Sequence, residues 1–226
     1  MSAYVDQIRA IVWKDVLLEL RTRERLAAMG AFAILAAVLF NYSIDRTTTR
    51  PENVAAGLIW MTLVFGGLLG VGRTFQLESE DGALQGLLTS PVPKDAVFLA
   101  KTLANFGLLY LVSLLVLGVF TLFFDLDLGG GIWGIVLVLG LGSLGFVALG
   151  TLFAAMSTGT SMGETLLPIL VFPLLVPMVI YGVGATGRLI AGRPFVEVEG
   201  NVRMLGAMAL MAVAVGAVLF RFVVED

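Results

Sequence analysis

Six stretches of this chain, residues 26–44, 54–72, 102–124, 132–156, 165–185 and 204–220, contain no charged side chain. Each approaches the roughly 20 apolar residues with which a helix rising about 1.5 Å per residue crosses about 30 Å of hydrocarbon. The 14 lysines and arginines and 17 aspartates and glutamates are confined to the segments outside them. With 58% hydrophobic and 14% charged residues, the chain lies well outside the composition of soluble domains, which carry about 25% charged residues. Strand-like alternation of polar and apolar positions is missing, which excludes a membrane barrel. The expectation is an all-α integral membrane protein: six transmembrane helices forming one domain over residues 1–226.

The chain has no cysteine and no histidine. Disulfides, thiolate metal sites and haem-attachment motifs are excluded, and the commonest metal ligand and proton shuttle is missing. Little chemistry is expected of the chain itself, and no catalytic, cofactor-binding or metal site is assigned. Residues 1–25 are too polar for a signal peptide, so the first span is read as a retained anchor. Six spans put both termini on one side. That side carries nine of the basic residues and the other five, and Arg21, Arg23 and Arg25 directly precede the first span. The positive-inside rule therefore places both termini in the cytoplasm. Arg188, Arg193 and Arg203 on the outer side pull against it, while Tyr42, Trp133 and Tyr181 fall where an outer aromatic belt would lie.

Before the first span, Val5, Ile8, Val12, Val16 and Leu20 recur at helical spacing with charged residues between them. This predicts an amphipathic helix lying in the cytoplasmic interface with Trp13 at headgroup depth. A solvated helix packed on a partner is the alternative. The longest polar segment, 73–101, holds acids at Glu78, Glu80 and Asp81, then Leu84, Leu87 and Leu88 at helical spacing, then Pro91 and Pro93. It predicts a short amphipathic helix with acids in its first turn, where they favour the macrodipole. Its apolar ridge needs a groove, either on a partner protein or on this chain's own helix ends.

The fourth span is rich in glycine (Gly140, Gly142, Gly145 and Gly150), and Gly66 and Gly70 repeat the pattern in the second. Small residues let helices approach closely, within the chain or across a dimer. The fifth span carries Pro168, Pro173 and Pro177, each of which deletes a backbone donor, so a bent or broken helix that could line a pathway is expected. Residues 182–203 predict a short re-entrant or interfacial element on the outer face. Met204, Met208 and Met211 share one face of the last span and read as packing. Asp125 and Asp127 offer too few oxygens for calcium. A Walker A pattern is absent, and so are ionisable residues inside the spans, which argues against an ion-coupled carrier. Any energy must then arrive from another polypeptide.

Gly57-Leu-Ile-Trp60, Arg73-Thr-Phe75, Glu80-Asp-Gly-Ala-Leu84, Leu87-Leu88, Ser90-Pro-Val-Pro93 and Ala100-Lys101 together resemble the central signature of the haem exporter protein B (CcmB) family. The fifth span, Leu166-Leu-Pro-Ile-Leu-Val-Phe-Pro-Leu-Leu-Val-Pro177, resembles that family's proline-repeated segment, and the similarity covers essentially the whole chain. Gly86 departs from the pattern, where a polar or acidic residue is expected. A glycine inside a helix costs about 1 kcal/mol relative to alanine, which would shorten the contact helix.

The resemblance implies a type 2 ABC exporter-like permease, the membrane subunit of the cytochrome c maturation transporter, working as a homodimer in the bacterial inner membrane. Asp81, Gly82, Leu84, Leu87 and Leu88 would form the coupling helix seated in a separate, ATP-hydrolysing subunit, CcmA. The other implied partners are the haem-handling membrane proteins CcmC and CcmD and the periplasmic haem chaperone CcmE. Haem would be cargo, released as the loaded chaperone. Without histidine or cysteine, contact with haem would rest on apolar packing and on arginines pairing with propionates. A type 2 permease exporting a lipid, polysaccharide or drug, and a non-transporting membrane scaffold, are the competing readings of the residues.

Overall fold

A computed structural model describes residues 2–45, 49–72, 74, 92–157 and 163–225. Among these residues lie seven α-helices: α1 (Ser2–Thr22), α2 (Glu24–Ser43), α3 (Pro51–Val71), α4 (Lys94–Phe124), α5 (Ile132–Ser157), α6 (Gly163–Ile190) and α7 (Glu199–Glu225). Six of them, α2 to α7, are long and apolar enough to cross a membrane. The expected coupling helix falls in residues 75–91, outside the described residues.

The spans exceed their charge-free cores. The third was expected from residue 102, yet α4 begins at Lys94 and runs for 31 residues. That is about 46 Å of helix, longer than the hydrocarbon is thick. Charge interrupts a hydropathy run but not a helix, and the early charges of α4, at Asp95 and Lys101, find partners on α1.

At the centre α5 packs against α4, α6 and α7, and its glycines are the notches that permit this. A Cβ on Gly142, or on Gly182 of α6, would collide with the indole of Trp60 on α3. A Cβ on Gly150 would lie 2.7 Å from Val71 Cγ1, and one on Gly145 would collide with Met178. The small residues thus serve packing within the chain. Trp60 is 2% exposed and its Nε1–H donates to Thr186 Oγ1 at 3.0 Å, so the one polar atom of the buried indole is satisfied.

Two expectations are narrowed. All three prolines lie in α6, which is continuous from Gly163 to Ile190, so of the bent or broken helix expected, the break is not found. Each proline removes a single donor, and the rest of the ladder carries the helix across. Pro173 and Pro177 are exposed on the bundle's outer surface. Second, of the re-entrant or interfacial element expected at residues 182–203, the re-entrant form is not found. α6 continues to Ile190, a turn and a 3-10 segment at Phe195–Val198 follow, and α7 starts at Glu199. The arginines there make local contacts: Arg188 Nη1 donates to the Glu197 carbonyl at 3.1 Å, Arg203 pairs with Glu199 at 2.6 Å, and Arg193 lies 3.9 Å from Glu197. Met204 and Met211 project outward from α7.

Candidate coupling site

A buried polar network lies where α1 meets the bundle, and it begins where the helix is interrupted between α1 and α2. Arg23, between α1 and α2, adopts φ 56°, a left-handed conformation that costs an ordinary residue roughly 1–2 kcal/mol. Arg23 makes no side-chain cap on α2. Glu19, one turn earlier, takes over that task. Its Oε1 accepts from the Leu26 backbone N–H at 3.0 Å and its Oε2 pairs with Arg25 Nε at 2.7 Å. A carboxylate on the free donors of a helix start is favoured by both hydrogen bonding and the helix dipole.

The same contacts bury two carboxylates of α1: Asp15 is 8% and Glu19 6% exposed, while Val5, Trp13, Leu17 and Leu20 are exposed. The cause is cations on the neighbouring helices, Arg25 for Glu19 and Lys101 for Asp15, whose Oδ2 lies 3.0 Å from Lys101 Nζ; Lys14 of α1 itself lies 3.1 Å from Asp15 Oδ1. Nearer the start of α1, Tyr4 donates to Asp95 Oδ2 at 2.8 Å. Burial, then the hydrogen bond and charge of Asp95, raise the Tyr4 phenol above its ordinary pKa.

From Arg25 the network runs into the bundle. Arg25 Nη1 donates to Asn105 Oδ1 at 2.9 Å, and Asn105 Nδ2 donates to Thr74 Oγ1 at 3.0 Å and to Thr151 Oγ1 at 3.4 Å. Asn105, Thr74 and Thr151 are all buried. One amide thus ties together α1 and α2 through Arg25, its own helix α4, the residue three beyond the end of α3, and α5. Thr74 and Val92 flank the segment 75–91 in the described structure.

Asp81, Gly82, Leu84, Leu87 and Leu88 all lie outside the described residues. Of the prolines, Pro173 and Pro177 stand on the outer surface of α6, and Pro168 lies within the helix near its start. The network around Asn105 was missed by the sequence reading. Its signal was there, because Lys101, Thr102 and Asn105 put three polar side chains on little more than one turn of α4, and Asp15 and Glu19 are spaced four apart on α1. At the opposite end, Glu52, Asp127, Arg193, Phe195 and the Gly129–Gly131 turn line a cavity of about 560 Å³. Asp127 Oδ1 accepts from Gly129 N–H at 3.0 Å and so fixes that turn.

A bundle of six candidate membrane helices, with an additional helix clamped by ion pairs across one end, defines a polytopic all-helical membrane protein. The chain belongs to the CcmB protein family, whose pattern it matches over residues 6–225. It is 30% identical over 207 residues to a protein named heme exporter protein B of Rhodobacter capsulatus, covering 92% of this chain and 93% of that one. The protein of that name from Shigella flexneri is 33% identical over 202 residues, covering 87% and 89% of the two chains. That of Escherichia coli K12 is 32% identical over the same length, with the same coverage.

Proposed function

We propose that this chain is the membrane subunit of a haem export system serving cytochrome c maturation, and that it performs no catalysis itself. The observation that carries this reading is the match to the CcmB family over nearly the whole chain, with relatives named heme exporter protein B. Energy enters from a separate ABC ATPase of the CcmA kind, which hydrolyses ATP. Residues 75–91 receive it, with Asp81, Gly82, Leu84, Leu87 and Leu88 forming the contact helix: the acidic start, the leucine ridge and the proline stop are what an ATPase groove requires.

In this reading the α1 end of the bundle is cytoplasmic, as the basic residues of 1–25 favour. The exposed Trp13, Leu17 and Leu20 of α1 rest in the inner-membrane interface. Two copies assemble as a homodimer, and CcmC-, CcmD- and CcmE-like partners handle haem on the outer side. Pro168, Pro173 and Pro177 of α6 belong to the moving part of the path. Support for that role lies in the exposure of Pro173 and Pro177, which leaves them available to a neighbouring subunit.

Purification from native membranes in mild detergent, followed by mass spectrometry, tests this. An ABC ATPase recovered together with haem-handling subunits is expected. An ATPase without them would redirect the reading to another exported molecule, and no ATPase, even after crosslinking, would overturn it.

A further inference from the structure

The segment 75–91 leaves and re-enters the described structure at two points: the entry flank is tied to α4, and the exit flank, which leads into α4, is tied to α1. On the entry side, Thr74 is 8% exposed and is held by Asn105 of α4 at 3.0 Å. On the exit side, α4 starts at Lys94, and its first turns are held to α1 by Tyr4–Asp95 at 2.8 Å and Asp15–Lys101 at 3.0 Å. The amide of Asn105 closes the circuit, since its oxygen accepts from Arg25, which Glu19 of α1 grips. Displacing either flank of the segment therefore pulls on α1, on the start of α2 and, through Thr151, on α5.

The geometry points to Asn105 as a positioning residue of energy coupling: it makes α1, the start of α4 and both flanks of 75–91 move as one body, so that force applied to the segment reaches the central helix α5. An amide is suited to this task. It offers an acceptor to Arg25 and two donors to Thr74 and Thr151 from one planar group, and it is buried to 4% exposure, where losing a partner is costly and few alternative partners exist. Asparagine is also uncharged, so it can sit at the edge of the hydrocarbon where a carboxylate or lysine would demand a counter-ion. A merely stabilising polar contact would need one partner. This one joins five elements, and one of them is the rim of the segment through which energy arrives in the proposed function, on which the inference rests.

The test uses the full complex in vesicles, measuring ATP hydrolysed and haem-loaded chaperone released. Asn105→Leu removes every bond of the amide, Thr74→Val removes only the tie to the segment, and Thr62→Val serves as control, since the buried Thr62 hydroxyl bonds only within its own helix, to the Leu58 carbonyl. In assembled complexes with ATP hydrolysis retained, chaperone release per ATP is expected to fall roughly 3- to 30-fold for Asn105→Leu and Thr74→Val, and to stay unchanged for Thr62→Val. Unchanged release per ATP in Thr74→Val would overturn the inference, including where Asn105→Leu fails to assemble.

If the parent complex neither hydrolyses ATP nor releases chaperone, the proposed function fails, and the mechanical linkage is judged on the isolated chain. Because the protein has no cysteine, spin labels at Arg9→Cys on α1 and Met156→Cys on α5 are the only ones present. A narrow distance distribution that broadens in Thr74→Val or Asn105→Leu supports the linkage. Equal widths would refute it.

Discussion

The ammonium of Lys101 lies 3.0 Å from the carboxylate of Asp15, 86 residues earlier in the chain, and its side chain is 3% exposed. This pair clamps a helix that lies outside the six spans onto the first turns of the longest one. Removing one partner of a buried ion pair costs about 3–5 kcal/mol because the other charge is stranded. Lys14, 3.1 Å from the same carboxylate, softens that loss, so Lys101→Met is expected to destabilise by about 2–3 kcal/mol. The double variant Asp15→Asn with Lys101→Met should cost less than the sum of the single variants. Thermal unfolding of the detergent-purified chain checks it, and strict additivity would contradict the clamp.

Glu19 is predicted to hold the elbow between α1 and α2. Glu19→Ala removes both the bond to Leu26 N–H and the grip on Arg25, with a loss of about 1–2 kcal/mol, as for a helix cap. Glu19→Gln keeps an acceptor for Leu26 and should recover part of it. The protease sensitivity of the 22–25 region in membranes reports the elbow directly, and an elbow equally protected in Glu19→Ala would contradict its role.

Trp60 tests the packing of the bundle. Gly142→Ala and Gly182→Ala each drive a methyl group into the indole, and overpacking of this kind costs about 1–3 kcal/mol. Trp60→Phe vacates part of the slot and frees Thr186, so combined with Gly142→Ala it should restore stability lost in the glycine variant. A melting temperature for Gly142→Ala equal to that of the parent would show that α5 and α3 are less tightly joined than described.

Tyr4 sets a pH dependence. Its pKa is raised by burial, with the hydrogen bond and charge of Asp95 adding to that, so the folded chain favours the neutral phenol. The contact therefore contributes fully below the ordinary tyrosine pKa of about 10 and is lost as pH climbs through the raised folded value. Ultraviolet titration of the parent against Tyr4→Phe should reveal one phenol ionising late. Asp95→Asn should bring it back toward the ordinary range, and an unchanged titration in Asp95→Asn would contradict the contact.

The prolines of α6 are predicted to matter for motion more than for assembly. Alanine at Pro168, Pro173 and Pro177 restores three backbone donors and should leave the complex assembled while lowering haem-chaperone release. Equal release at equal abundance would reduce them to a packing role.

The six spans were legible because charge avoids hydrocarbon so strictly that the gaps in charge are the helices. Their ends were less so. Lys94–Lys101 and Gly187–Ile190 are helical although the charges nearby end the apolar runs, since a helix continues past the membrane wherever its polar groups find water or partners. The inward turn of two α1 carboxylates was not legible for a related reason. Periodicity reports an apolar stripe, and only the positions of Lys101 and Arg25 reveal that the carboxylates of Asp15 and Glu19 turn inward. Asn105 and Thr74 are 31 residues apart, and although Thr74 sits in the Arg73-Thr-Phe75 stretch, nothing in the sequence pairs it with Asn105. Their meeting depends on how α3 and α4 pack. The proline-rich span was read as bent or broken because each proline was weighed singly, whereas α6 runs on without a break through all three.

The most direct test of the central claim, that residues 75–91 receive energy from a separate ATPase, is site-specific crosslinking in native membranes. The absence of native cysteine allows a single reactive thiol at Leu84→Cys or Leu87→Cys, with Phe195→Cys at the opposite end of the bundle as control. The account predicts an adduct with the ABC ATPase from positions 84 and 87 that changes in yield with bound nucleotide, and none from position 195. Adducts from position 195 alone, or no adduct at 84 and 87 in an assembled and active complex, would contradict it.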